Sequence, residues 1–371
     1  MRSMVLRHWQ QRWTRLPLGL IIMLCLVASI GFAFMYSAAG GNWHPWAFRQ
    51  VLHFLVFIPP MLAIALIDTR WWWKHAYSLY VGSLVLLVFV ALQGHTAMGA
   101  TRWIDLVFFK LQPSELAKIT VILALARYFH QLPRDLVGRV YWLIPPAMIV
   151  LIPAALIAKQ PDLGTALTLL MAGAAMFWLA GVRWWKFALI GIVVIGAIPA
   201  VWYSGKLHDY QKNRILTFLD PERDPLGTSY NIIQSKIAIG SGGFSGKGFL
   251  HGSQSQLSFL PEHQTDFIFT MYAEETGFGG AVFLLLLYGL MLAYGWMIGH
   301  RTRSYFSRLM AMGMSTLFFL HIFINIAMVM GMIPAVGAPL PLLSYGGTIM
   351  MATLVMFGFL MNAHVHHLSN L

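Results

Sequence analysis

A chain of 371 residues that is 58% apolar and only 10% charged, with a mean hydropathy of +0.68, is not a soluble domain; soluble domains carry about 25% charged residues. The formal net charge of +12 signals membrane topology and anionic lipid contact rather than nucleic acid, because the cations sit between apolar stretches. Its single cysteine, Cys25, excludes an intramolecular disulfide and a cysteine-based metal site.

Ten apolar stretches follow one another at 17–38, 48–68, 75–93, 112–130, 140–158, 164–181, 184–203, 266–299, 306–331 and 344–367. Each is long enough to cross about 30 Å of hydrocarbon at about 1.5 Å per residue. The expected fold is therefore an all-α polytopic membrane protein, one domain over 1–371, with about ten transmembrane helices and a long extracytoplasmic loop at about 204–265. The first stretch reads as an uncleaved helix, since it is too long for a signal-peptide core and further spans follow. The fourth carries Glu115 and Lys118 in its first turns, three apart on one helix face, where the two charges can pair. The eighth is long enough to tilt or to project beyond the bilayer.

Lysine and arginine counts set the orientation. With the N-terminus inside, fourteen of them fall in inner segments, against Arg49, Arg102, Lys110 and Lys159 in short outer loops. Both termini are then cytoplasmic and the long loop lies outside.

Within that loop, Thr228 or Ser229 can cap a short helix that places Ile232, Ile233 and Ile237 on one face. Such a helix lies either on the membrane surface or against the loop itself. The glycine-rich run at 240–248 is not a nucleotide-binding loop: it has Ser241 where the first glycine belongs, and Gly248 follows Lys247 where Ser or Thr is required. Turn geometry accounts for its glycines.

The loop ends at Asp266, where polar chain meets an apolar helix, and Glu274 and Glu275 follow inside that helix. A carboxylate at a membrane boundary is costly and is by default a functional residue. A helix N-cap competes as an explanation for Asp266 and for Asp162, each of which precedes an apolar helix. On a regular helix Glu274 lies about 80° from Asp266 and Glu275 nearly opposite it, so the two acids do different jobs. His53 and His321 read as satisfied core residues, and His364, His366 and His367 as a polar helix end.

Several segments together carry a resemblance. They are Gly-Ala-Thr-Arg-Trp-Ile at 99–104, Gln-Pro-Ser-Glu-Leu-Ala-Lys at 112–118, Gln-Pro-Asp-Leu-Gly-Thr at 160–165 and Gln-Ser-Lys-Ile-Ala-Ile-Gly-Ser-Gly-Gly at 234–243. They continue with the run from Gly246 to Leu257, Phe-Leu-Pro-Glu at 259–262, Thr-Asp-Phe-Ile-Phe at 265–269 and Pro-Leu-Pro-Leu-Leu-Ser-Tyr-Gly-Gly at 339–347. The chain resembles the SEDS family (shape, elongation, division and sporulation), and its loop is closer to the RodA branch than to the FtsW branch. Two positions depart from the family pattern: Gln264 replaces a histidine, with His263 one place earlier, and Thr276 replaces a leucine after the two glutamates.

The resemblance implies a bacterial inner-membrane peptidoglycan glycosyltransferase that polymerises lipid II, a disaccharide-pentapeptide on undecaprenyl diphosphate, during cell elongation. It implies Asp266 as the essential carboxylate. It also implies a class B penicillin-binding protein and the elongation complex as partners, and the chain has no Ser-x-x-Lys transpeptidase motif of its own. A general base must take the acceptor proton, which suits Asp266. Cations must hold the diphosphate, and Arg49, Arg102, Arg214, Lys236 and Lys247 are the outer-side candidates, with headgroup binding as the competing reading. Glu115, Lys118, Asp162, Glu274 and Glu275 are supporting residues. No motif demands a cofactor, although a divalent cation, Mg or Mn, is compatible with an aspartate beside a diphosphate. A lipid II flippase and a non-catalytic scaffold for a transpeptidase are the alternative functions.

Overall fold

The computed structural model describes residues 12–93, 95–97, 100–105, 110–203, 230–252 and 264–368, together with 212, 216–218 and 220. All ten apolar stretches contain a helix. In chain order the described elements are α1 (Leu18–Ala38), α2 (Ala47–Leu66), α3 (Thr69–Gln93), β1 (His95–Ala97), β2 (Ala100–Asp105), β3 (Lys110–Leu111) and α4 (Pro113–Gln131). They continue with α5 (Val140–Lys159), α6 (Leu163–Leu179), α7 (Trp184–Tyr203), α8 (Tyr230–Ser241), α9 (Ile268–Arg301), α10 (Tyr305–Val329) and α11 (Gly347–Val365). Seven of these helices, α1, α2, α3, α5, α9, α10 and α11, are long and apolar enough to cross a membrane.

The helices are sorted by what they face. The apolar windows of α10 and α11 are 78% and 83% buried, against 28–39% for the other five spans, so α10 and α11 are interior and the others present a lipid-facing side. Helix α4 joins them inside, with Glu115 and Lys118 both buried, which is why a helix with charges in its first turns is tolerated there. Pro113 occupies its first turn, where a missing N–H costs nothing. Prolines also lie inside α2 and α5, as is common in helices packed among neighbours in a membrane. The fold adds one feature to the helical expectation, a small antiparallel ribbon in the order β1-β2-β3 that pairs Thr96 with Thr101 and Ile104 with Leu111.

Helix α8 differs from both sequence readings. Its buried face is Ile232, Ser235 and Ala238, and it packs on α9 and α10. Ser235 sets this face: its hydroxyl lies 2.6 Å from Thr270 Oγ1 and donates to the Val329 carbonyl at 2.8 Å. Ile237 points outward, 47% exposed. The candidate caps Thr228 and Ser229 lie outside the described residues.

The long helix α9 is broken at Gly277, whose φ of 69° leaves the helical region. In a regular helix the carbonyls of Glu274 and Glu275 accept from the N–H groups of Phe278 and Gly279. Here the glycine-rich run takes both sides of that gap. Lys247 N donates to the Glu274 carbonyl at 3.1 Å and Gly248 N to the Glu275 carbonyl at 3.0 Å. Phe278 N donates to Gly243 O at 2.9 Å and Gly279 N to Phe244 O at 3.1 Å. The glycines are required by close approach: a Cβ on Gly242 would collide with the Ala273 carbonyl, one on Gly246 with the Glu275 carbonyl, and one on Gly277 with Gly246 N. Turn geometry is thus only part of their role.

Gly277→Ala should lower stability by at least about 2 kcal/mol, since it combines a left-handed backbone with a backbone collision. Gly240→Ala, whose Cβ meets nothing within 4 Å, should be neutral. Melting temperatures in detergent check this; similar values for the two variants would contradict the account of the break.

Candidate active site

Asp266 lies in the turn that leads into α9, half-buried at the end of the bundle. It is not the helix N-cap: Phe267 holds that position and no side chain caps it. The N-cap explanation therefore does not apply to Asp266. Its backbone is held from the loop between α10 and α11, residues 330–346. Asn325 Nδ2, in α10, donates to the Asp266 carbonyl at 2.8 Å and to the Ala338 carbonyl at 2.6 Å. Ser344 Oγ donates to the Thr265 carbonyl at 2.6 Å, and Tyr345 N to the Gln264 carbonyl at 2.8 Å. The carboxylate faces Gly337, where a Cβ would lie 3.3 Å from Asp266 Oδ2. Only a residue without a side chain leaves that approach unobstructed.

The clamping loop is itself anchored. Gln50 of α2 donates to the Ser344 carbonyl at 2.8 Å and accepts from Gly346 N at 3.3 Å. Tyr288 of α9 donates to the Pro341 carbonyl at 2.6 Å. Ser344 Oγ also accepts from Leu340 N at 2.6 Å, closing the turn on itself. Three helices therefore determine where Asp266 stands: α2, α9 and α10.

The start of α6 borders the same loop, with Gly164 packed against the Val336 carbonyl. Asp162 is the N-cap of α6, accepting from Thr165 N at 3.2 Å through Oδ1 and from Gln112 Nε2 at 3.0 Å through Oδ2. Arg102 is engaged here. Its Nε donates to the Gln160 carbonyl at 3.0 Å, another nitrogen donates to the Pro161 carbonyl, and Nη1 lies 3.9 Å from Asp162 Oδ2. In this structure Arg102 fixes the turn before α6.

Lys247 is engaged within the protein as well. Its ammonium lies 2.6 Å from Glu274 Oε1, and the Glu274 side chain is fully buried, so the lysine offsets a charge inside the protein. Glu275 has other partners, accepting from Ser37 Oγ of α1 at 2.6 Å and from Leu250 N at 3.2 Å. The two acids thus tie the break in α9 to different neighbours. Lys236 lies exposed along Gly331, at the start of the clamping loop, and Arg49 is exposed on α2 beside Gln50. Arg214 lies outside the described residues.

Glu115 and Lys118 pair at 2.8 Å, both buried. His321 of α10 joins them, with Nε2 2.8 Å from Lys118 Nζ and 3.5 Å from Glu115 Oε2. Its Nδ1 lies 2.8 Å from the Leu317 carbonyl. A carbonyl can only accept, so Nδ1 carries the proton and Nε2 accepts from the ammonium. His321 is a third member of a buried charge network. Sequence reasoning also passed over Asn325, Ser344 and Gln50; Asn325 had one signal, being a lone amide in an apolar span.

A family profile described as a cell cycle protein, covering FtsW, RodA and SpoVE, matches residues 12–369. The chain is 40% identical over 363 residues to the peptidoglycan glycosyltransferase MrdB of Escherichia coli K12, covering 95% of each chain. A chain from a solved peptidoglycan synthase complex, described as coordinating polymerization and crosslinking, superposes with a TM-score of 0.81 at 31% identity, covering 94% of this chain and 97% of that one. The rod shape determining protein RodA of Thermus thermophilus superposes with a TM-score of 0.72 at 27% identity, covering 95% and 98%.

Lys118→Met should cost about 3–5 kcal/mol, because it leaves a buried carboxylate without its cation. Glu115→Gln together with Lys118→Met should recover most of that loss. Thermal unfolding in detergent reads both, and a single variant as stable as the parent would show that the pair is not a buried charge pair.

Proposed function

This chain belongs to the FtsW/RodA/SpoVE family of cell cycle proteins, and we propose that Asp266 is the general base of its peptidoglycan glycosyltransferase reaction. It is a multi-pass membrane enzyme that polymerises peptidoglycan in cell elongation, in keeping with its identity to MrdB along nearly the whole of both chains. The observation that carries the assignment of Asp266 is the clamp. Three hydrogen bonds from Asn325, Ser344 and Tyr345 fix the backbone at 264–266, and the carboxylate faces a glycine at the rim of the bundle.

In this reading the substrate is lipid II. An acceptor sugar hydroxyl attacks the anomeric carbon of the donor, its proton passes to Asp266, and undecaprenyl diphosphate leaves. A base aligned this way contributes about 10²- to 10⁴-fold, and fixed orientation adds to it. Lys236 and Arg49, both exposed on elements that adjoin the clamping loop, are the described cations suited to the diphosphate; Arg102 and Lys247 position the protein instead. Among the described residues no three His, Cys, Asp or Glu side chains gather as a metal site. A divalent cation, Mg or Mn, would therefore need Asp266 together with diphosphate oxygens, where it would neutralise the leaving group.

The positive-inside distribution supports a topology with both termini in the cytoplasm and Asp266 at the outer face of the inner membrane. A class B penicillin-binding protein is the proposed partner, within the elongation complex, since cross-linking needs a transpeptidase that this sequence lacks.

The purified chain with its partner should polymerise fluorescent lipid II. Asp266→Asn, which keeps the size of the side chain, should reduce the rate by about 10²- to 10⁴-fold while folding and partner binding persist. Equal product from both would remove Asp266 as base. Lack of product from either, where a known polymerase works, would favour the flippase or scaffold reading.

A further inference from the structure

The end of the bundle opposite Asp266 holds a cavity that the glycosyltransferase reaction does not use. Helix α9 runs from the Asp266 turn to Arg301, and α10 begins directly after it, so Tyr305 and Arg308 stand a full helix length from the active site. The cavity has a volume of about 530 Å³ and is walled by Arg134, Arg183, Arg308, Tyr305 and Asp135, with Gly138 and Gly181 at its sides. Its segments come from three places in the chain: the turn after α4, the turn between α6 and α7, and the first turn of α10.

The side chains in the wall are arranged rather than merely near. Tyr305 donates its hydroxyl to the Ala180 carbonyl at 3.2 Å, which fixes its ring. The Arg134 guanidinium lies over that ring, 5.6 Å from its centroid. Arg308 is tethered at one end, with Nη2 3.4 Å from the Thr302 carbonyl, while its buried Nε has no hydrogen-bond partner among the described residues. Among the described residues none of the three arginines forms an ion pair. The glycines add room: a Cβ at Gly138 or Gly181 would meet nothing within 4 Å.

Three guanidiniums and one carboxylate leave two net positive charges around a space much larger than an ion. Guanidinium forks match the paired oxygens of phosphate, and charge-assisted bonds of this kind are about twice as strong as neutral ones. Arg134, Arg183 and Asp135 are exposed, so the space opens to solvent, and its net positive charge favours an anion.

We propose that this cavity binds a phosphate-bearing anion on the face of the membrane opposite the active site. The same chemistry has two sources, the headgroup of an anionic phospholipid and a soluble phosphate ester. On the positive-inside reading that face is cytoplasmic, but the site stands on its own geometry whichever way the chain is oriented.

The experiment uses the full chain in detergent with two probes. Inorganic pyrophosphate is titrated by calorimetry in lipid-free micelles, and phosphatidylglycerol retention is measured by native mass spectrometry against phosphatidylethanolamine. The parent chain should bind at least one probe saturably, and Arg134→Gln with Arg183→Gln should weaken that binding at least tenfold. Binding of pyrophosphate alone identifies a soluble ligand, and selective retention of phosphatidylglycerol identifies a lipid. Asp135→Asn, which removes the one carboxylate, should tighten binding at least twofold, an effect that misfolding cannot produce. Absence of saturable binding to either probe overturns the proposal. So does undiminished binding by the double variant, or a failure of Asp135→Asn to tighten it.

Discussion

A helix that breaks inside a membrane protein must have its freed backbone groups bonded again, because no water is at hand to do it. At Gly277 the carbonyls of 274 and 275 and the N–H groups of 278 and 279 all lose their helical partners. The glycine-rich run restores all four bonds by inserting its own backbone between the two halves of α9. Much of the Asp266 end of the bundle follows from that insertion. It carries Lys247 to the buried Glu274 and Leu250 to Glu275, and Glu275 in turn binds Ser37 of α1. The first turns of α9 are thereby fixed from both sides, and Asp266 stands directly before them.

The second fixed point is the loop between α10 and α11. It is apolar in sequence but is held by polar side chains from outside it: Gln50, Tyr288 and Asn325. Its own Ser344 and Tyr345 then bind the strip at 264–265. Most of these bonds end on backbone carbonyls, so the position of the carboxylate depends on the path of the chain rather than on a side-chain rotamer. The charged groups elsewhere are used in compensated sets, Glu115 with Lys118 and His321, Glu274 with Lys247, and Asp162 with Gln112 and Arg102. Such sets lower the cost of burial.

Legibility in the sequence followed the range of each interaction. Helical stretches, the i, i+3 pair of Glu115 and Lys118, and the cap at Asp162 are local, and composition or spacing reveals them. Asp266 was legible because a carboxylate at a membrane boundary stands out against apolar neighbours. His321 was not, since it meets Lys118 across 203 residues of chain and reads alone as a core histidine. Arg102 and Lys247 show the same limit: a cation between apolar spans looks available for phosphate, and its carbonyl or carboxylate partner is visible only in the fold. The glycine-rich run shows the converse, for its glycines answer a distant stretch of backbone, around Glu275, as well as a local turn. The face of α8 was misjudged because the isoleucines suggested a stripe, whereas Ser235 chose the side through hydrogen bonds to α9 and α10.

The central claim is that reaction requires the carboxylate at one fixed place, set by the clamp at 264–266. Asp266→Glu keeps the charge and moves it by one methylene. Its rate of lipid II polymerisation, measured with partner binding intact, tests the claim most directly. A fall of about 10²-fold or more is the result the clamp requires, given that a misplacement of about 1 Å costs that much. A rate within a few-fold of the parent would show that a negative charge near the rim suffices and that the clamp does not govern the chemistry.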